Sequence, residues 1–190
     1  MINKPILILF AFVFCNNLNA QSSASIRRKD IRKVEQKQID YKDGKEIISK
    51  WSLDEYDKWG RVISEKQFNS DSTYKVFETF QYDRKGRVLS QCEFDKFGKL
   101  KKKTDIEYDN MNDRKEERVY SSNNELIEVI RFKYNAFGFK TEEITFKPDG
   151  LTILKKIIYS HDSKGSIIER KVFDDKGKLI QARNYLISYN

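Results

Sequence analysis

Side chains of alternating polarity fill most of the chain, and turn-forming clusters interrupt them at regular intervals. The stretch EYDKWGRVISEKQF at residues 55–68 contains one such cluster, followed by one alternating run. Near-copies return as QYDRKGRVLSQCEF at 81–94, EYDNMNDRKEERVY at 107–120 and KYNAFGFKTEEITF at 133–146. Alternation with a period of two residues is typical of β-strands, so the pattern predicts a repeat built from strands.

A glycine, or a residue standing in its place, marks each predicted turn. The steps between these positions are 12, 14, 12, 14, 12, 14, 12, 15 and 12 residues. The repeating unit is therefore 26 residues, made of two unequal halves, and five units fill about 56–188 after an earlier half-unit marked by Gly44. One residue is inserted between Gly150 and Gly165. A sustained period of this kind is the signature of a repeat architecture. The marked positions are Gly60, Ser72, Gly86, Gly98, Asn112, Asn124, Gly138, Gly150, Gly165 and Gly177.

The residue types at these positions explain why the chain reverses there. An aspartate stands three residues before the glycine in YDKWG, YDRKG, FDKFG, HDSKG and FDDKG. Aspartate favours the first position of a type I turn, where its carboxylate can accept hydrogen bonds from backbone amides. Glycine at the fourth position can adopt a positive φ and form a bulge that matches the twist of the strands. Each cluster therefore predicts a tight hairpin between strands of about eight to ten residues.

The register of the apolar positions predicts how the strands pair. With a bulged turn, Tyr82 faces Val88 and Phe94 faces Leu100 as cross-strand pairs on one face of a sheet. The alternate positions of each strand, which point to the other face, carry mainly charged and amide side chains. We expect an all-β fold, an antiparallel meander of hairpin repeats with about 11–12 strands in one long twisted or curled sheet, apolar on one face and charged on the other.

The first residues bear on where the protein acts. An apolar run from Pro5 to Cys15 is too short for a membrane span of roughly twenty residues, and it makes residues 1–20 a predicted secretory signal peptide. Residues 21–32 are predicted to be a flexible basic leader, and 33–190 a single β-repeat domain. We therefore expect an exported protein of the periplasm, the cell surface or the extracellular medium, with no transmembrane segment after cleavage of the signal.

The charge of the chain narrows the class of partner. The formal net charge is +8 at neutral pH. A basic exported protein first meets anionic surfaces such as lipopolysaccharide, lipid headgroups and acidic glycans, whereas export removes it from most nucleic acid. A basic run is a candidate basic patch, although alternation along a strand would divide it between two faces. The run consists of Lys99, Lys101, Lys102 and Lys103.

Neither catalytic residues, nor a metal site, nor a cofactor is predicted. His161 is the sole histidine; it replaces the tyrosine before a turn and is predicted to be an exposed turn residue. Cys92 is predicted to be a partly buried thiol that lacks the neighbouring histidine a nucleophile needs. The turn aspartates are explained by the turns themselves. An enzyme would require acids that converge elsewhere on the sheet.

The segment Tyr-Asp-x-x-Gly-Arg followed by a strand resembles the YD, or RHS-type, repeat. The nearest forms are YDKWGRV at 56–62 and YDRKGRV at 82–88, and FDKFGKL and FDDKGKL are weaker ones. The resemblance covers nearly all of 56–188. It implies an exported or surface β-repeat scaffold of a kind linked to carbohydrate binding, contact functions or toxin encapsulation, and it implies no catalytic residues. With 190 residues the chain is too short to enclose a cargo.

Candidate binding residues occupy the third position of alternate turns. Because alternate turns of a meander share an edge, these residues should line one edge of the sheet, here called rim 1. Exposed aromatic side chains beside lysines suit stacking on sugars or contact with a partner protein. The alternative is that they fold back over the end of the sheet and plug its core. The rim 1 residues are Trp59, Lys85, Met111, Phe137 and Lys164.

These observations predict a non-enzymatic exported scaffold or binding module that contacts a protein or glycan of the envelope or the extracellular space. The alternative is a structural component of the envelope that assembles by self-association through its edge strands.

Overall fold

The described residues form one antiparallel sheet whose strand order is the sequence order. The computed structural model describes residues 31–42 and 45–189, and it contains twelve strands in a single meander. β1 and β12 each pair on one side only within these residues, so the sheet is open. The predicted fold class is confirmed, whereas the predicted signal peptide and most of the leader lie outside the described residues. The strands are β1 (Lys33–Lys42), β2 (Lys45–Tyr56), β3 (Val62–Phe68), β4 (Tyr74–Tyr82), β5 (Val88–Phe94), β6 (Leu100–Tyr108), β7 (Arg114–Ser121), β8 (Leu126–Tyr134), β9 (Lys140–Phe146), β10 (Ile153–His161), β11 (Ile167–Phe173) and β12 (Leu179–Asn184).

All ten predicted turn positions from residue 60 onward have a positive φ, between 62° and 85°. In the β4–β5 turn the Gly86 amide donates to the Asp83 carbonyl at 3.1 Å, and the Asp83 amide donates to the Arg87 carbonyl at 2.9 Å. The Asp83 carboxylate accepts from the backbone amides of Lys85 and Arg87 at 2.8 and 2.9 Å. This is a type I turn closed by a glycine bulge, as the sequence predicts.

The inserted residue of the fourth unit lies just after its turn. There the Lys147 amide reaches the Thr152 carbonyl, one residue further than in the other turns. Hydrogen bonds from the Thr152 hydroxyl, the Thr152 amide and the Leu151 amide lower the pKa of Asp149 to about 2. The extra residue is accommodated by a loop that leaves the Leu151 side chain 82% exposed.

A second register shift lies inside every hairpin. The pairs Tyr82–Val88 and Phe94–Leu100 form as predicted. However, the next residue, Gln81, pairs with Ser90, so one residue of β5 is left over as a bulge. Each of the eleven pairs of neighbouring strands contains one such shift.

This shift makes the prediction of one apolar face wrong. Tyr82 and Phe80 are two residues apart and share a face, and Phe80 pairs with Gln91. Phe94 is three residues from Gln91 along a regular strand, so Phe94 lies on the opposite face. The tyrosines next to rim 1 therefore occupy one face, here the tyrosine face. The aromatic residues next to the other edge, rim 2, occupy the other face, here the phenylalanine face.

The core is correspondingly thin and lies on both faces. Ile106, Val119, Ile157 and Val172 are buried on the tyrosine face. Val129 and Ile144 are buried on the phenylalanine face. Among the described residues no large side chain is less than 2% exposed. Side chains are thus covered by their neighbours in the same sheet rather than by a second layer.

The first strands are held together by a ladder of aromatic rings on the phenylalanine face. Successive ring centroids from β2 to β5 are 4.0, 5.3, 4.8 and 4.2 Å apart. Contacts of this kind each add about 0.5–1.5 kcal/mol to what burial contributes. The first and last of these contacts are stacked and the two between them are tilted, so the rings pack against one another within the sheet. Its members are Trp51, Phe68, Tyr74, Phe77 and Phe94.

A row of acids crosses the same four strands on the tyrosine face. Asp54 pairs with Glu65, Glu65 with Glu78, and Glu78 with Glu93. Like charges directly opposite each other destabilise a sheet. Partial burial, reinforced by the charges of Glu93 and Glu65, raises the pKa of Glu78 above its ordinary value.

Two glycines with the same backbone conformation provide a matched test of the turns. Gly86 (φ +85°) has open space where a Cβ would stand, whereas a Cβ on Gly165 (φ +83°) would come within 2.3 Å of the Phe139 ring. We expect Gly86→Ala to lower the free energy of unfolding by about 1–2 kcal/mol because of the left-handed backbone alone. Gly165→Ala should lower it further, since Phe139 must move. Urea titration measures both, and equal losses would contradict the Phe139 contact.

The acidic row predicts a pH dependence of stability. Because the folded-state pKa of Glu78 lies above its ordinary value, ionised Glu78 costs stability at neutral pH and protonation restores it. Glu78→Gln should raise the free energy of unfolding at neutral pH by roughly 0.5–1 kcal/mol. This advantage should disappear as the pH falls through the raised pKa. Urea titrations at several pH values test this, with the exposed turn residue Glu125, changed to Gln, as the control. A pH-independent advantage would show that charge is not its cause.

Candidate functional site

Rim 1 carries large apolar side chains that project from the end of the sheet. Trp59 is 58% exposed, and Met111 and Phe137 are each 81% exposed. Lys85 and Lys164, which complete the predicted row, are exposed as well. The structure thus brings all five candidates to one edge, and the three apolar ones do not fold back over the core.

The turn chemistry fixes the backbone beneath each of these side chains. The Trp59 amide donates to the Asp57 carboxylate at 2.8 Å, and the Phe137 amide donates to the Asn135 side-chain oxygen at 3.0 Å. Lys85, Met111 and Lys164 make the same bond at 2.8–2.9 Å. The first turn residue therefore points back into its own turn, while the third residue points outward.

Contacts between consecutive hairpins explain the tyrosine and the arginine of the repeat motif. The Tyr82 hydroxyl donates to the carbonyl of Val62, a residue of the preceding hairpin, at 2.6 Å. Arg61 donates to its own Asp57 at 2.6 Å and to the Asp83 carbonyl of the next turn at 3.1 Å. Its guanidinium lies 4.6 Å from the centre of the Tyr82 ring, within cation–π range. These contacts hold neighbouring turns of rim 1 together at a spacing of about 9–10 Å, the width of two strands.

Between the fourth and fifth turns of rim 1, a different contact replaces the arginine and the tyrosine. Phe139 stands in the arginine position and His161 in the tyrosine position, and their rings stack at 5.4 Å. The Phe139 ring also covers Gly165. His161 is half-buried at the end of β10, so the prediction of an exposed turn residue is wrong. Stacking against Phe139 is the physical reason.

The two rims differ in the residues at the two central positions of each turn. Rim 1 carries four cations, three large apolar residues and no acid at its ten central positions. Rim 2 carries two cations, three acids and one large apolar residue. The rim 1 residues are Lys58, Trp59, Arg84, Lys85, Asn110, Met111, Ala136, Phe137, Ser163 and Lys164, and those of rim 2 are Ser70, Asp71, Lys96, Phe97, Ser122, Asn123, Pro148, Asp149, Asp175 and Lys176.

The segment after β12 extends rim 1, which the sequence alone did not reveal. Its Tyr189 hydroxyl donates to Asp162 and lies 2.8 Å from the Ser166 hydroxyl. The Lys164 ammonium lies 3.7 Å from the centre of the Tyr189 ring. Leu186, in the same segment, is fully exposed. The separation of 27 residues between Asp162 and Tyr189 is close to the repeat length and could have indicated this contact.

The predicted basic patch is divided between the faces. Lys102 pairs across the sheet with Glu93, and their charged groups are 2.7 Å apart. Lys103 pairs with Cys92, on the other face, and contacts Asp105 at 3.0 Å. Lys99 and Lys101 are exposed. The four lysines are therefore not brought together, and two of them are neutralised locally.

Cys92 and a depression beside Glu116 are two further features of the described residues that bear on chemistry. Cys92 is half-buried, as predicted. No group of three or more histidine, cysteine or acidic residues in 31–42 and 45–189 could hold a metal ion. A shallow depression of about 320 Å³ on β5–β7 includes Glu116, which is already paired with Arg118 at 2.6 Å and with Arg131 at 2.8 Å. In the same part of the chain, no helix has the length and apolar character needed to span a membrane.

Comparison with known proteins finds similarity at the level of structure only. No family model matches the chain, and no curated protein matches it. A DUF3836 family protein from Bacteroides vulgatus matches 56% of this chain and 98% of its own length, with a TM-score of 0.31 and 18% identity. A porin-like protein from Bacteroides uniformis matches 82% of this chain and 97% of its own, with a TM-score of 0.26 and 13% identity. A chain of the Photorhabdus luminescens Tc holotoxin pore matches 70% of this chain but only 9% of its own length, with a TM-score of 0.29 and 14% identity.

The exposure of the rim 1 residues predicts that they contribute little to folding. We expect the triple variant Trp59→Ser, Met111→Ser, Phe137→Ser to keep the free energy of unfolding within about 1 kcal/mol of the native chain. By contrast Ile106→Ala, which truncates a side chain only 6% exposed, should cost about 2–5 kcal/mol. Circular dichroism during urea titration measures both. If the triple variant lost as much free energy of unfolding as Ile106→Ala, these three residues would have a packing role instead.

Proposed function

We propose that this protein is a non-enzymatic, exported scaffold or binding module that contacts an envelope or extracellular partner through rim 1. The observation that carries the proposal is the exposure of Trp59, Met111 and Phe137, which lie at the tips of three turns on one edge. Large apolar side chains held in water in this way are typical of contact surfaces.

The turns themselves do not require these residues. Four of the five equivalent turns on rim 2 form with a polar residue at the same position, such as Asp71 or Asn123, and one carries Phe97. Their positive-φ residues, Ser72 and Asn124, show that the backbone conformation is the same. Selection for the turn would therefore favour polar tips, and the apolar tips of rim 1 call for another cause.

Contacts between neighbouring hairpins hold the turns that carry Trp59, Met111 and Phe137 in fixed positions. The bonds of Tyr82 and Arg61 between hairpins fix one turn against the next. A binding surface on rigid elements loses less conformational freedom when it binds. The apolar run in residues 1–20 and the resemblance to YD-type repeats support export and a scaffold role.

A cross-linked pull-down from envelope extract tests this proposal. The bait is the predicted mature chain, from residue 21 onward, and the comparison bait is the triple serine variant of Trp59, Met111 and Phe137. The matched control is Phe97→Ser, which removes a rim 2 side chain that is 71% exposed. We expect the native and Phe97→Ser baits to capture the same protein or glycan, and the triple variant to lose it.

Equal capture by all three folded baits, or capture by none, would contradict a binding role for rim 1. A bait that recovers only further copies of this chain would instead favour the structural alternative, assembly through the edge strands β1 and β12.

A further inference from the structure

We propose that the partner of rim 1 is an anionic lipid surface, against which the apolar tips insert at the level of the headgroups. This inference rests on the proposed function and names the partner of the same site. It concerns peripheral contact by the turn tips of Trp59, Met111 and Phe137, which stand on hairpins of the same edge.

The charge of the rim is complementary to such a surface. Lys58, Arg84, Lys85 and Lys164 occupy central turn positions of rim 1, where no acid is found. The first turn residue is an aspartate in four of the five turns, and its carboxylate is directed inward, as in the bond from the Lys85 amide to Asp83. Rim 2 mixes acids with cations at the same positions and lacks this complementarity. Cations close to an anionic leaflet each strengthen binding about fivefold.

The types of apolar residue favour lipid over sugar. Stacking on a sugar needs an open aromatic face, but Lys58 and Arg61 lie over the Trp59 ring at 4.4 and 4.5 Å. Met111 has no ring at all. The boundary between headgroups and acyl chains accepts any apolar side chain, and tryptophan is enriched there. Lysine and arginine suit the same depth, because their apolar stems can lie in the boundary while the charge remains in water.

The arrangement along the edge allows these groups to act together. Neighbouring turns of rim 1 are about 9–10 Å apart, so five turns span roughly 40 Å of one edge. The apolar tips occupy the first, third and fourth turns, and cations occupy the first, second and fifth. The fully exposed Leu186 lies in the segment packed beside the fifth turn. A flat surface laid against the edge would therefore meet both apolar and cationic groups along its length.

Vesicle binding tests the inference. The probes are vesicles of phosphatidylcholine mixed with phosphatidylglycerol, and vesicles of phosphatidylcholine alone. We expect sedimentation with the anionic vesicles at low salt, weaker binding as salt screens the charges, and little binding to the neutral vesicles.

The triple serine variant should lose at least tenfold in partition coefficient, from the apolar area it no longer buries. Lys85→Glu with Lys164→Glu should lose at least tenfold as well. Phe97→Ser should bind like the native chain.

The two tryptophans allow insertion to be seen directly. Trp51→Phe leaves Trp59 as the only tryptophan, and its fluorescence should shift to the blue on anionic vesicles. No binding to anionic vesicles, or binding that the triple variant retains, would overturn the inference. If the envelope pull-down still depends on rim 1 while vesicles fail, the partner is a protein or a glycan and only the lipid proposal is wrong. If both experiments fail, the binding role of rim 1 is wrong too.

Discussion

The structure depends on a left-handed backbone residue at the end of each of the ten turns between β2 and β12. Such a conformation costs roughly 1–2 kcal/mol for a residue with a side chain, so glycine and asparagine dominate these positions. Ser72 adopts it with φ 65°, which shows how strongly the flanking strands impose it. Since each strand of a single-layer sheet is covered only by its neighbours, an error in one turn would misplace every contact beyond it. The turns therefore set the register on which the aromatic ladder, the ion pairs and the rims all rest.

The sequence predicts the turns well because their chemistry is local. Asp83 and Gly86 are enough to indicate a hairpin and to pair Tyr82 with Val88. The second register shift is different. It leaves Leu89 without a cross-strand partner in the β4–β5 ladder. Leucine has no conformational preference from which a bulge could be predicted. The shift arises from how two whole strands pair, so the sequence could not show that the apolar residues divide between the faces.

The candidate site was predictable in part for the same reason. The 26-residue period places Trp59, Met111 and Phe137 on one edge without any knowledge of side-chain contacts. Whether these side chains point outward depends on the space at the end of the sheet, and a local sequence pattern does not predict that space. The motif does not predict the contact of Tyr189 with the last rim 1 turn, because the segment of Tyr189 lacks the Asp-x-x-Gly pattern.

Charged residues are used differently inside the sheet and at the turns of rim 1. Inside the sheet, a repeated position carries glutamates that neighbouring cations neutralise: Glu116 contacts Arg118 and Arg131, and Glu142 contacts Lys133 and Lys156. At the turns, the aspartates are engaged by backbone amides of their own turn. These acids are paired within the fold, whereas the side chains at the central turn positions of rim 1 face the solvent. Cations and large apolar groups fill them instead, so this one edge is both cationic and apolar.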